Sequence, residues 1–115
     1  MQKKRSNGSS AMREEQLEDV AKLFKTLSEP VRLRILSCLM EGSKTVGEIV
    51  ELTALKQGNV SKHLKILSDA DLLSRQKEGN YVYYRIAQPL LFDLCGLVCQ
   101  QLEETAQGKL DRLKA

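Results

Sequence analysis

Leu72-Leu73-Ser74-Arg75-Gln76-Lys77 and Tyr81-Val82-Tyr83-Tyr84-Arg85-Ile86 flank Glu78-Gly79-Asn80, and two short segments around a Gly/Asn turn predict a β-hairpin. Val82, Tyr84 and Ile86 are the expected inner face. On both sides of the hairpin, apolar residues recur every three or four positions, the period of a helix. The chain is therefore expected to be mainly α with one small β-hairpin.

The helices are delimited by their own residues. Leu17, Val20, Ala21, Phe24 and Leu27 form the first stripe, with Glu14, Glu15, Glu18 and Asp19 at the end where acidic groups meet the positive pole of the helix. Ser28-Glu29-Pro30 ends that helix and starts a second: Ser28 is the expected cap, and Pro30 suits a first helical turn. Val31, Leu33, Ile35, Leu36, Leu39 and Met40 fill the second helix up to Gly42. A short third helix follows Thr45, with Thr45 and Glu48 spaced as a capping box. The fourth carries Val60, Leu64 and Leu67 on one face. The last helix bears Leu90, Leu91, Leu94, Leu97, Val98 and Leu102, turns polar after Glu103 and is expected to fray near Gly108.

The 115 residues support one domain, in which burial is modest and oligomerisation is a source of further stability. The expected division is a flexible basic arm over 1–12, a folded body over 13–108 and a frayed tail over 109–115. The apolar run from Gln88 to Cys99 is broken by Asp93, well short of the roughly 20 residues that span a bilayer. Lys3, Lys4 and Arg5 lead into polar residues rather than the apolar core of a secretory signal. A cytoplasmic location with no membrane partner is expected.

The net charge of +3 conceals its distribution, because residues 1–13 contribute +4 and leave the remainder at −1. A separate excess of +3 lies between Lys56 and Arg85, a segment that would face a polyanion or form a solvated surface.

In the order of four helices, hairpin and helix, a tight connection can place the fourth helix in a major groove and the hairpin beside it, a winged helix-turn-helix. A small protein-interaction adaptor fits the same elements; it would lack the salt-sensitive DNA association of the first reading. On the fourth helix Gln57, Asn59, Ser61, Lys62, His63 and Lys65 supply a mixed inventory for base edges and phosphates. His63 is the sole histidine, so one chain holds no multi-histidine metal site, and a polar contact within or beside the DNA interface is its expected role. On the wing Arg75, Lys77 and Arg85 suit phosphates and Asn80 suits the tip, whereas Glu78 would repel a phosphate. Tyr81, Tyr83 and Tyr84 fall on both faces of one strand and fit a packed wing better than a base-stacking platform. No glycine-rich phosphate loop, adjacent Cys/His pair or carboxylate constellation points to an enzyme, and no cofactor is expected.

Pro30-Val31-Arg32-Leu33-Arg34-Ile35-Leu36, Val46-Gly47-Glu48-Ile49, Asn59-Val60-Ser61-Lys62-His63-Leu64-Lys65-Ile66-Leu67 and Tyr83-Tyr84-Arg85-Ile86 together resemble the ArsR/SmtB family of bacterial repressors over roughly residues 15–100. The resemblance implies a homodimer formed by the first and last helices, double-stranded operator DNA bound by the fourth helix and wing, and repression relieved by a chemical signal. Asp71 departs from the family, which commonly has Gly before the first wing strand.

The family's paired third-helix cysteines are missing here, as are the histidines of its last-helix zinc site. Cys38, Cys95 and Cys99 remain. Cys95 and Cys99, four residues apart, share a helical face. The resemblance is nearer to members that join a second-helix and a last-helix cysteine by oxidation, which implies a small oxidant or reactive sulfur species as effector. A thiophilic ion or arsenite at Cys95/Cys99, or inert cysteines with another effector, are the alternatives. A disulfide requires Cα atoms within about 7 Å and one reactive thiol.

Overall fold

The computed structural model describes residues 11–114. All but Ala11 and Met12 of the expected basic arm lie outside them. In chain order the elements are α1 (Glu14–Leu27), α2 (Pro30–Leu39), β1 (Lys44–Thr45), α3 (Val46–Thr53), α4 (Gln57–Asp69), β2 (Leu73–Glu78), β3 (Tyr81–Ile86) and α5 (Leu90–Lys114).

Each helix end has a local cause. The Ser28 hydroxyl donates to the Lys25 carbonyl at 2.8 Å and closes α1. It does not cap α2, contrary to the expectation from the sequence. That role falls to Glu29, whose carboxylate accepts the Val31 N–H at 3.0 Å, the first amide left free by Pro30 at the start of the helix. The expected box opens α3: Glu48 N–H donates to Thr45 Oγ1 at 3.2 Å and Thr45 N–H to Glu48 Oε1 at 2.8 Å. Ala54 ends α3 in the left-handed region at φ 60°, with its N–H on the Val50 carbonyl. Asp71 adopts the same φ of 60° after α4. The turn for which glycine is the usual residue is thus kept with an aspartate, a residue that tolerates this conformation better than most.

The sheet is antiparallel, in the order β1-β3-β2. The hairpin pairs Leu73 with Ile86 and Glu78 with Tyr81 around Gly79 and Asn80. Gly79 has φ 63°, as a type II′ hairpin turn requires of its first loop residue. The third strand, β1, sets Lys44 opposite Tyr84 and Thr45 opposite Tyr83, fastening the wing to the residues that lead into α3.

The core joins Leu27 of α1, Ile35, Leu36 and Leu39 of α2, Ile49 of α3, Val60, Leu64 and Leu67 of α4, then Leu72, Leu73 and Leu91. Tyr84 and Ile86 pack against it from the inner face of the wing. Each fully buried leucine or isoleucine contributes about 1.5–3 kcal/mol relative to exposure. The buried face of α4 packs against α2, α3 and β2 and leaves its polar surface outward.

The last helix does not fray at Gly108. It continues to Lys114, with Gln107 donating to Asp111 at 2.8 Å one turn on and Arg112 and Lys114 at its negative end. Only Leu91 of α5 is buried, while Leu97, Leu102 and Leu113 are 65%, 64% and 83% exposed. Such an array of leucines on a 25-residue helix is unsatisfied within one protomer.

Candidate nucleic-acid interface

The α3–turn–α4 unit presents α4 by its N-terminal end and one long face. Gln57, Asn59, Ser61, Lys62 and Lys65 are all exposed, and Ser61, Lys62 and Lys65 lie opposite the buried row of Val60, Leu64 and Leu67. Lys65 Nζ is 3.2 Å from Asp69 Oδ2 one turn on. Both groups are largely exposed, so this pair contributes at most about 0.5 kcal/mol and leaves the ammonium available to a phosphate.

His63 is not on this surface. It is 7% exposed, and its Nδ1 accepts the Nε–H of Arg32 in α2 at 3.1 Å. The same guanidinium donates through Nη1 to the Thr26 carbonyl in the last turn of α1 at 3.1 Å. Burial, with the Arg32 charge second, lowers the pKa of His63 below its ordinary value. The polar contact expected within or beside the DNA interface is made inside the fold, to Arg32 behind the exposed face of α4. Position 63 falls between Val60 and Leu67 on the buried face, and the spacing of those two residues was the signal for it. Its partner Arg32 has no signal in the local spacing, because it lies on α2.

On the wing, strand alternation separates the three cations. Arg75 pairs with Tyr84 and Lys77 with Val82, on the face shared with Leu73, whereas Arg85 pairs with Ser74 on the other. Arg75 lies 5.8 Å from the centre of the Tyr84 ring, a cation–π distance. Arg85 Nε donates to Ser74 Oγ at 3.1 Å. Asn80 and Glu78 are exposed at the tip, and Tyr81 is 63% exposed.

A second feature lies between α1, α2 and α5. Phe24, Leu27, Leu33, Leu94, Cys95, Val98, Cys99 and Leu102 line an open apolar groove of about 320 Å³. Cys95 and Cys99 share it. Cys38 is not among its lining residues: it sits half-buried on α2, near Lys44 and Glu41. Burial pushes the Cys38 thiol up, partly offset by Lys44. Burial and then the neighbouring Cys99 push Cys95 up as well, so both are thiols rather than thiolates at neutral pH. Cys99 is exposed. Among the described residues no cluster of three or more His, Cys, Asp and Glu is placed to hold a metal ion, and no helix is long and apolar enough to cross a membrane.

Comparison with known proteins agrees with this architecture. The model for bacterial regulatory proteins of the arsR family matches residues 29–75, the span from the cap of α2 into β2. The transcriptional repressor SdpR of Bacillus subtilis is 35% identical over 71 residues, covering 62% of this chain and 79% of SdpR. The crystal structure of the antimony-specific transcriptional repressor AntR superposes with a TM-score of 0.76 at 29% identity, over 86% of this chain and 90% of AntR. The solution structure of a homodimeric winged helix-turn-helix domain, Mb0332 of Mycobacterium bovis, superposes with a TM-score of 0.74 at 28% identity, over 87% of this chain and 95% of that one. With a buried-backed recognition helix, a wing and these relatives in agreement, the chain belongs to the arsR family of bacterial regulatory proteins and is a DNA-binding transcriptional repressor rather than an enzyme.

Proposed function

We propose that the protein acts in the cytoplasm as a homodimer that closes over the α1/α5 groove, binds operator DNA with α4 and the wing, and leaves it when the groove thiols are modified. The observation that carries this reading is the placement of Cys95 and Cys99 in an apolar groove on the helices left most exposed by a single protomer. Gln57 and Asn59, at the leading end of α4, are assigned to base edges. Ser61, Lys62, Lys65, Arg75, Lys77, Asn80 and Arg85 are assigned to phosphates and the groove walls.

The effector in this reading is an oxidant such as a hydroperoxide. A peroxide that enters the groove is attacked at its O–O bond by the sulfur of Cys99, which forms a sulfenic acid and releases the alcohol or water. A second groove thiol then displaces the sulfenic oxygen as water and closes an S–S bond. Two thiols lose two electrons and two protons, and the peroxide takes them up. The new bond changes the packing of α5 against its symmetry mate and hence the separation of the two α4 helices. Cys38, outside the groove lining, is assigned no step.

A second reading is favoured by the superposition on an antimony-specific repressor: a trivalent metalloid held by Cys95, Cys99 and thiols of the partner subunit, which suits soft sulfur ligands. Both readings are tested by DNA affinity, measured on a duplex the protein selects from a random library, for reduced, peroxide-treated and antimonite-treated protein. Loss of affinity in wild type, abolished by C95S and C99S and retained in C38S, supports thiol control, and the treatment that causes the loss names the chemistry. Unchanged affinity after verified oxidation and after verified metalloid loading removes it.

A further inference from the structure

The Arg32 side chain joins three elements. One guanidinium reaches the end of α1 through the Thr26 carbonyl at 3.1 Å and α4 through His63 Nδ1 at 3.1 Å, while its own backbone belongs to α2. α1 also supplies Phe24 and Leu27 to the apolar groove. The recognition helix is therefore tied by a directional polar contact, in addition to packing, to the helix that borders the groove.

We infer that Arg32 and His63 are positioning residues for DNA recognition, and that the contact carrying α4 is made only by the neutral imidazole, so that protonation of Nδ1 uncouples α4 from α1 and weakens operator binding.

The chemistry runs one way. Arg32 has donors only, so the ring nitrogen facing it must be a lone pair, with the ring proton on Nε2. A proton added at Nδ1 removes the acceptor and sets a second cation against the guanidinium in a site 7% exposed. The charged groups that bear on the ring are Arg32 and Glu29 from α2 and its cap, and Lys62 from α4 itself; Glu29 alone favours the charged ring. Burial and the two cations prevail, and the neutral, accepting form is the resting one. Because His63 is the sole histidine, a one-proton change in binding between pH 5 and 7 reports this residue.

The sign of the effect separates this role from a contact with DNA. A positioning histidine must lose its proton for DNA to bind, so affinity falls on acidification by up to about tenfold per pH unit below its pKa. An imidazolium touching a phosphate would raise it. Affinity is measured by fluorescence anisotropy on the selected 30-base-pair duplex from pH 5 to 8 at fixed ionic strength. Wild type is expected to weaken with acid. H63N, whose amide oxygen replaces the Nδ1 acceptor and does not titrate, is expected to bind at pH 7.5 within about threefold of wild type and to lose the slope. R32M is expected to bind weakly at every pH.

A wild-type affinity that rises or stays level with acid overturns the inference, as does an acid slope that survives in H63N. Imidazole ¹⁵N shifts of the wild-type protein give a reading that no variant's folding can obscure: Nδ1 unprotonated at pH 7.5 is expected, and a protonated Nδ1 overturns the inference.

Discussion

Ala54 turns the chain between α3 and α4 at φ 60°, where a side chain costs about 1–2 kcal/mol that glycine avoids. Glycine loses part of that gain through its freer unfolded state. A54G is expected to raise stability by about 0.5–1 kcal/mol in chemical denaturation, and a loss would contradict the left-handed turn. Thr45 holds the opposite end of α3; T45A is expected to cost about 1 kcal/mol by the same measurement. His63 adds a pH dependence. Its folded pKa lies below the ordinary 6.5, so below pH 6.5 the unfolded chain takes up a proton that the folded chain resists. Stability is expected to be level above that pH, to decline as pH falls towards the folded value, and to level off beneath it. H63N is expected to remove the decline from urea titrations run at pH 7.5 and 5.5.

Among the elements, α4 and the wing carry the proposed DNA contacts. Substitution of a lysine assigned to phosphate weakens binding to all sequences alike and reduces the salt dependence by about one counterion. K62A is expected to do this, whereas N59A is expected to change the preferred base at one position; paired isotherms on the selected duplex and on random duplexes at several salt concentrations distinguish them. The hairpin was legible because Gly79 and Asn80 interrupt two strand-like runs, and α3 because Thr45 and Glu48 are spaced for a box. β1 was not, since two residues carry no period, and their strand exists only through Tyr83 and Tyr84 opposite. The face of His63 was legible in the spacing of Val60 and Leu67. Its partner was not, because Arg32 lies 31 residues earlier and only the packing of α2 on α4 brings the two together. The cations of the wing were legible as residues, but their separation onto two faces depended on the strand register.

On the scale of the whole molecule, the apolar surface that one protomer leaves open is the clearest statement about assembly. Val98 and Leu102 of α5 and Phe24 of α1 are exposed around a groove without polar walls, and a second copy offers the same surface in return. Helical spacing alone marks these residues as inward-facing and the family resemblance implies a partner for the first and last helices; the placement of α5 against α1 and α2 leaves that face open in the single chain. V98E/L102E is expected to sediment as a monomer and to lose most DNA affinity while keeping the helical content of wild type. In the proposed homodimer this contact fixes the distance between two recognition helices. Matching faces of DNA recur once per helical turn. A hydroxyl-radical footprint on the selected duplex tests this directly: two protected half-sites related by a two-fold axis, centred about 10 base pairs or a whole multiple apart, are expected, and a single protected segment would exclude the two-fold dimer on DNA.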